Sequence, residues 1–452
     1  MKKALCFLFV LFLLTNFCAI GLSETIVTYG GAFSPDDTGY QTFLAEHPDI
    51  LVAWPNVVYS FTSEFMTALL TKQYYCDMFA WGTSQIDWPI LMKKGYCYDL
   101  SKSQLLVEAV SKMHPYISKQ AMYDGKLFAI PTDVNFIFMQ IEENTWYEAG
   151  LALEDVPQSF QEFLDFLEHW CDRIDNEPEP MIRILGGWES QYTESSYTAW
   201  LTKLLINEAI MQAQYAEEEL HFDNEELLAL LERCYIVGRR VYSLESPSGK
   251  QNLFDESSRG VWPTNYANVI FLRQNSTQPK LVKTVIKMWA VCSYTDKPDL
   301  CLELLEKVVT GSGDLSLTSD MFLYSNAIAR INPNYESDLA RWTDELNTAV
   351  EQLQKPNLDM DEISRLEKAS AVYTGAIETV EKNKWLMLPE QLTDYQAAAD
   401  RLNVPPPSIF DESQELDTME KLYNRFANGL LTADQLIKEL DHMAQMIRLE
   451  SN

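Results

Sequence analysis

In the first third of the chain, short apolar runs alternate with stretches whose apolar residues recur every three or four positions. The runs predict strands over 25–29, 50–54 and 77–81. The stretches between them have the helical period and predict helices over 40–46, 64–72 and 88–94. Because parallel strands need crossover helices, this alternation favours a mainly parallel sheet with helices on both faces.

Helices dominate the pattern from residue 159 onward. Ser159 and Glu162 form a capping box that predicts the start of a helix, and the same signal recurs at 223–226 and 432–435. A further strand and a further helix are predicted over 287–291 and 300–309. The predicted fold class is therefore α/β, with a helix-rich C-terminal part.

The N-terminus has the features of an export signal. Two lysines follow Met1, residues 4–14 are apolar, and small residues precede Glu24. This order is typical of a signal peptide, here residues 1–23, and its apolar run is too short for a membrane span. We expect an exported mature chain in the periplasm or on the outer face of the cell membrane. Lipid attachment at Cys18 is the alternative fate of this segment.

Charge and composition narrow the range of partners. The 452 residues include 35 Lys and Arg against 66 Asp and Glu, a formal net charge of −31. Such a chain repels phosphate backbones and anionic lipid surfaces, so nucleic-acid binding and adsorption through a basic patch are not expected. Aromatic residues make up 12% of the chain, which suits recognition of a ligand by stacking.

Six cysteines follow the signal segment, an even number that permits disulfides in an exported protein. Cys292 and Cys301 lie close in sequence across a turn and are the favoured pair. Cys76 with Cys97 is the second candidate pair. Buried thiols without disulfides are the alternative, and no C-x-x-C spacing indicates a zinc or redox site.

The sequence carries no recognisable catalytic signature. It lacks the phosphate-binding loop, the dinucleotide fingerprint, the nucleophile elbow and the H-E-x-x-H motif. Its five histidines are scattered without a metal-ligand spacing. We therefore predict no enzymatic activity, no cofactor and no metal.

Several phrases together resemble the extracellular solute-binding proteins of ABC importers, of the carbohydrate type that includes the maltose-binding proteins. They are FLAEHPDILV at 43–52, DMFAW at 77–81, KGYCYDL at 94–100, DGKLFAIP at 124–131, EAGL at 148–151, VPQSFQEF at 156–163 and NGLLT at 428–432. The order and spacing of the phrases within residues 24–170 make the resemblance to this family specific, whereas residues 240–286 depart from the family pattern.

The resemblance implies a two-lobe periplasmic-binding-protein-like fold whose lobes are joined by a hinge and close on a ligand. Its N-lobe would comprise 24–135 and 287–326, and its C-lobe 136–286 and 327–452. The implied function is capture of a sugar or oligosaccharide between the lobes and delivery to an ABC transporter permease. The protein would act as a monomer.

In open α/β sheets, ligands bind beyond the carboxyl ends of the strands, and the resemblance points to the same region. The candidate ligand-binding residues are Trp81, Thr83, Tyr40, Asp133, Asn135, Trp188 and Trp262. Aromatic rings stack on the C–H face of a sugar, while Asp and Asn bond its hydroxyls. A core role for the tryptophans and hinge hydrogen bonds for Asp133 and Asn135 are the alternatives.

Two other functions stay open at the level of sequence. An exported carbohydrate-active enzyme would also combine aromatic and acidic residues. A surface carbohydrate-binding or adhesion module would share the exported location.

Overall fold

The structure is a computed structural model, and it describes residues 24–33, 35, 37–53, 65, 67, 69, 71, 76–175, 182–185, 195–244, 251–257, 266–311, 322–324, 329–332, 334–356, 359–385, 387–404 and 415–451. The predicted signal peptide and Cys18 lie outside these residues.

The chain forms two compact units, each made of separate segments. Unit 1 comprises Met1–Asp133, Val285–Ser316 and Val404–Asn452, and unit 2 comprises Val134–Thr284 and Leu317–Asn403. The predicted lobes, 24–135 with 287–326 and 136–286 with 327–452, stay a prediction.

The strands of the described residues, in chain order, are β1 (Glu24–Tyr29), β2 (Ile50–Ala53), β3 (Met78–Gly82), β4 (Met122–Tyr123), β5 (Lys126–Leu127), β6 (Ile130–Ile141), β7 (Ile182–Leu185), β8 (Gln251–Ser257), β9 (Val269–Ile270), β10 (Val282–Val291) and β11 (Leu402–Asn403). The α-helices are α1 (Thr38–Glu46), α2 (Trp88–Lys93), α3 (Gln104–Ser111), α4 (Pro115–Gln120), α5 (Glu143–Glu148), α6 (Phe160–Ile174), α7 (Ser196–Tyr215), α8 (Glu225–Leu244), α9 (Pro298–Gly311), α10 (Tyr335–Leu353), α11 (Met360–Lys382), α12 (Pro389–Ala398), α13 (Glu415–Ala427) and α14 (Ala433–Ser451).

The sheet of unit 1 has the order β2-β1-β3-β10. β1 runs parallel to both β2 and β3, as the strand–helix alternation predicts. β10 instead pairs antiparallel with β3, with Met288 opposite Trp81 and Trp289 opposite Ala80. β10 begins where the chain re-enters unit 1 after the segment Val134–Thr284 of unit 2. The local sequence pattern does not indicate the direction of this strand relative to β3.

The core of unit 1 forms on both faces of this sheet. Ile26, Phe79 and Met288 are fully buried. Helices α1 and α9 pack against each other, although their sequences are far apart. The central strands therefore read as continuous apolar runs, which is expected of strands covered on both faces.

Unit 2 combines a sheet with a larger number of helices. β6 pairs antiparallel with β8, and β8 pairs in parallel with β7. Helix α8 packs against α6 and α7. Arg233 of α8 supports this contact through ion pairs to Asp165 at 2.7 Å and Glu168 at 3.1 Å. Helices α10 and α11 pack against each other.

The predicted helix starts are confirmed, with two changes of detail. The Ser159 hydroxyl accepts the Glu162 amide at 3.2 Å, but the Glu162 carboxylate accepts the amide of Gln158 and not that of Ser159. The reciprocal bonds of Thr432 and Gln435 are present as predicted. Before α8 the capping side chain is Asn224, which accepts the Leu227 amide at 2.7 Å.

Among the described helices, none is both long enough and apolar enough to cross a membrane.

Candidate functional site

Two glycines shape the chain where β1 ends. Gly30 has a φ of +73°, and a Cβ there would lie 2.2 Å from the Ala80 carbonyl oxygen. A Cβ on Gly31 would lie 2.9 Å from the Trp289 ring and 3.0 Å from the Ala80 Cβ. Only glycine fits a backbone that bends in this way so close to its neighbours. The chain therefore leaves β1 tightly against the ends of β3 and β10.

Trp81 lies next to this bend, one residue before the end of β3. Its ring packs 5.7 Å from Tyr29 and 5.4 Å from Phe65, measured between ring centroids. Tyr29 and Phe65 are buried, whereas Trp81 remains partly exposed. The indole Nε1 has no hydrogen-bond acceptor among the described residues. Trp81 therefore has an apolar base of packed rings and an accessible part that a ligand can cover.

A second aromatic group lies on the other face of the same strands. Phe33 stacks on Trp289 at 4.3 Å with 14° between the planes, and Tyr40 stacks on Phe33 at 5.5 Å. Phe33 and Tyr40 are partly exposed over the buried Trp289. Partial burial raises the pKa of the Tyr40 phenol above its ordinary value. Its neutral hydroxyl can donate a hydrogen bond.

The strand register explains why there are two groups. Paired residues share a face and successive residues alternate, so Trp81 opposite Met288 and Trp289 opposite Ala80 place the two indoles on opposite faces. Both faces meet at the Gly30–Gly31 bend. We call the partly exposed rings Trp81, Phe33 and Tyr40 the strand-end rings.

Polar groups lie close to the strand-end rings. The Lys287 Nζ lies 3.4 Å from the position of a Cβ on Gly31. The Thr132 hydroxyl donates to the Lys287 carbonyl oxygen at 3.4 Å, and the partly exposed Asp133 follows Thr132 in β6. Lys287 thus adds an ammonium beside the aromatic surface at this end of unit 1, and Asp133 adds a carboxylate to the strand that Thr132 connects to Lys287. Both groups can bond hydroxyls.

The other predicted site residues are placed differently. Thr83 is buried, and its hydroxyl accepts the Ile286 amide at 3.1 Å, so it supports the pairing of β3 with the start of β10. Asn135 belongs to unit 2 and is partly exposed. Trp188 and Trp262 lie outside the described residues.

The sequence analysis did not name three residues that contribute to this region: Phe33, Lys287 and Trp289. Phe33 comes shortly after Gly30 and Gly31, and Lys287 and Trp289 lie two residues apart in the strand predicted over 287–291. The alternation indicated that Lys287 and Trp289 share a face. It could not indicate that β10 lies beside β3.

The six described cysteines are all buried, and each carries a thiol in the structure. Cys292 directly follows β10, whereas Cys301 lies on α9. The Cys292–Cys301 and Cys76–Cys97 disulfides stay predictions.

Unit 2 contains a cavity of about 100 Å³ beside a buried carboxyl group. Glu208 is 5% exposed and accepts a hydrogen bond from Gln212 at 2.6 Å. Burial raises the pKa of Glu208 to about 7, although the Gln212 bond and the charge of Arg273 oppose the shift. The cavity wall is otherwise mostly apolar, with Lys283 and Asn207 as further polar members.

One group of possible metal ligands occurs among the described residues. Glu46, His47 and Glu303 place ligand atoms within 4.8 Å of one another. His47 already bonds Glu303 at 2.9 Å, and the Lys307 ammonium lies 2.6 Å from Glu46. These contacts, one hydrogen bond and one ion pair, connect the C-terminal end of α1 with α9.

No protein-family model matches the chain, and no curated protein matches its sequence. Solved structures do match. A structure from work on xylan utilization by the thermophilic bacterium Caldanaerobius polysaccharolyticus gives a TM-score of 0.55 at 12% identity, covering 94% of this chain and 100% of that one. A cyclic α-maltosyl-1,6-maltose binding protein from Arthrobacter globiformis gives a TM-score of 0.52 at 13% sequence identity, and the match covers 94% of this chain and 98% of that one. An ABC substrate-binding protein from Listeria monocytogenes, in complex with cycloalternan, gives a TM-score of 0.51 at 11% sequence identity. The match covers 95% of this chain and 98% of that one.

The chain has the two-lobe fold of the solute-binding proteins. The match covers nearly the whole chain, so it includes the helix-rich later part. It confirms the predicted fold class. At these identities the similarity concerns the fold, and the ligand has to be argued from the residues of this chain.

Proposed function

We propose that the protein is the exported solute-binding component of an ABC importer and that it captures a sugar or oligosaccharide for a membrane permease. The strand-end rings carry the proposal. In a fold whose sheet ends receive ligands, they offer partly exposed aromatic surface at the carboxyl ends of β1 and β3.

The chemistry of these rings suits a carbohydrate. A sugar presents an apolar C–H face, which gains dispersion contact and loses water when it covers an indole or phenol ring. Its hydroxyls need partners once they are desolvated, and Asp133 and Lys287 are charged groups able to supply them. Trp81 would be the main stacking residue in this proposal.

The neighbours' own ligands favour an oligosaccharide over a monosaccharide. One neighbour is described as binding a cyclic maltosyl-maltose and another was solved with cycloalternan. Rings on both faces of the β3–β10 strand pair would accommodate more than one sugar unit. The contribution of Asn135, Trp188 and Trp262 stays a prediction, as does closure of the lobes on the ligand.

The proposal includes no catalytic step, and no observation favours an exported carbohydrate-active enzyme or an adhesion module. It does include export, with a mature chain that starts near Glu24 or is lipidated at Cys18. The intact mass of the protein recovered from an exporting host distinguishes cleavage near Glu24 from a lipidated Cys18. A monomer is expected in size-exclusion chromatography with light scattering.

The direct experiment is a ligand screen by thermal unfolding. A ligand that binds only the folded state raises stability by about 2.7 kcal/mol at one hundred times its dissociation constant. Linear and cyclic oligosaccharides should therefore raise the melting temperature, and calorimetry should give one site. A panel in which sugars are inert, or in which a sugar is cleaved during incubation, would overturn the proposal.

A further inference from the structure

The cavity of about 100 Å³ in unit 2 is bounded by β6, by helix α7, by the segment around β9 and by the start of β10. Apart from Glu208, Asn207 and Lys283, the residues that line it are apolar. Met139 of β6 and Met211 of α7 belong to this apolar wall. A polar group in such a wall loses hydration and needs a partner that replaces the lost water.

Glu208 is the acidic group in this wall. It is 5% exposed, and its Oε1 accepts a hydrogen bond from the Gln212 side-chain amide at 2.6 Å. The same amide donates to the Pro279 carbonyl oxygen at 3.0 Å, which fixes Gln212 between α7 and the segment before β10. Oε2 of Glu208 bonds no described residue, and the protein does not seal it off. One carboxyl oxygen is thus held in place while the other can receive a ligand.

The described cations do not neutralise this carboxyl group through an ion pair. The charge of Arg273 acts on Glu208, but its guanidinium donates to the carbonyl oxygens of Gln158 at 2.8 Å and Gln278 at 2.7 Å. Lys283 lines the same cavity and forms no ion pair with Glu208. Buried carboxylates in proteins are usually paired. The ionised form of Glu208 therefore needs a countercharge that the described residues do not supply.

We propose that this cavity binds a small alkylammonium ion, with the ammonium group on Glu208 and the alkyl group against the apolar wall. The ammonium brings the countercharge and N–H donors that Oε2 can accept, and the alkyl group gains by leaving water. The excess of 66 acidic over 35 basic residues also attracts cations to the protein. Because a cavity of about 150 Å³ admits benzene, the cavity in unit 2 suits a chain of about four carbons.

Two compounds of the same length are matched alternatives to butylammonium. Butyrate would bring a second carboxylate next to Glu208, which disfavours its binding. 1-Butanol would form a neutral hydrogen bond and add no countercharge. Comparison of the three compounds therefore separates a need for positive charge from a need for apolar volume alone.

This ligand is additional to the proposed sugar. The strand-end rings belong to unit 1, whereas every residue that lines the cavity belongs to unit 2. The inference does not rest on the proposed function. Sugar binding without butylammonium binding would reject the cavity ligand alone, and the reverse result would reject the sugar alone.

The test uses the full chain with ¹³C-labelled methionine methyl groups and n-butylammonium chloride as the probe. Met139 and Met211 line the cavity, whereas Met288 is buried in unit 1. The probe should shift the NMR signals of Met139 and Met211 along one saturation curve and leave Met288 unchanged. We expect a dissociation constant of about 0.1–1 mM for a probe of this size. 1-Butanol and butyrate should bind at least about tenfold more weakly.

Glu208→Gln removes the charge and keeps the size of the side chain and an acceptor for Gln212. It should weaken butylammonium binding at least about tenfold and leave 1-butanol binding unchanged. Glu232→Gln removes an exposed carboxylate from α8 and is the matched control for net charge. It should bind the probe as the wild type does, and thermal unfolding checks that both variants are folded.

Calorimetry in buffers of different ionisation enthalpy gives a second readout. Burial raises the pKa of Glu208 to about 7 in the presence of Arg273 and Lys283, and a bound ammonium should lower this pKa again. Binding at pH 7 should therefore release about half a proton per ligand from the wild type. Glu208→Gln should release none.

Four results would overturn the proposal. They are methionine signals that do not move at about 10 mM butylammonium, equal affinity for 1-butanol, wild-type affinity in Glu208→Gln, and shifts spread over methionines of both units. The last result would indicate general attraction of cations to the acidic surface. Because the NMR titration uses the unaltered chain, its result does not depend on whether a variant folds.

Discussion

Replacing Trp81 with alanine should weaken ligand binding far more than it weakens folding. The ring is partly exposed, and a sugar that covers roughly 50–100 Å² of it gains about 1–3 kcal/mol at roughly 25 cal/mol/Å². Loss of this contact should raise the dissociation constant by about one to two decades. Calorimetry on the ligand found by the screen measures this change.

Trp88→Ala is the matched control for the effect of the substitution on folding stability. Trp88 is 1% exposed and stacks on Phe79 at 5.7 Å with 18° between the planes, so it belongs to the core. Truncation of a buried tryptophan costs about 3–5 kcal/mol of folding free energy. Trp81→Ala should cost clearly less, because part of its ring faces solvent.

Thermal unfolding of the two variants, beside calorimetry, separates a binding role from a core role. The reasoning is refuted if Trp81→Ala binds the sugar as tightly as the wild type and unfolds as early as Trp88→Ala. Trp81→Phe adds a finer comparison, because it retains a stacking ring and removes the Nε1 donor. It should recover most of the affinity if stacking supplies the binding energy.

The remaining predictions concern buried carboxyl groups in the two units. Asp77 is fully buried, accepts the Val27 amide at 2.8 Å and lies 3.6 Å from the Lys297 ammonium. Asp77→Ala should therefore cost about 3–5 kcal/mol in urea unfolding, and a cost below 1 kcal/mol would contradict the assigned role. The pKa of Glu208 is raised to about 7 by burial, so the unfolded chain ionises before the folded one and stability falls as the pH rises from about 4.5 to 7. Glu208→Gln should remove this decline and be about 3 kcal/mol more stable than the wild type at pH 8, whereas unchanged pH dependence would contradict this reasoning.

Local elements were predictable because their signals are local. β1 was predicted over 25–29 and extends over Glu24–Tyr29, since strand-forming residues end there at two glycines. The start of α6 followed from Ser159, whose side chain can reach only the next few amides. Such features depend on residues that are close in sequence, and a period or a cap reveals them.

Features that depend on distant pairing could not be predicted. The faces of Trp81 and Trp289 follow from the antiparallel register of β3 and β10, whose sequences are separated by the first part of unit 2. The periodicity of apolar residues indicates which face of a strand or helix a residue lies on, but it does not show which residues of another element pack against that face.

The central claim, that the strand-end rings bind a sugar, is tested most directly by titrating the purified mature chain with linear and cyclic oligosaccharides in a calorimeter. The account predicts one binding site per chain, intact sugar after the experiment, and an affinity that falls about ten- to a hundredfold in Trp81→Ala. Absence of heat with every sugar, or binding that is indifferent to the loss of Trp81, would contradict it.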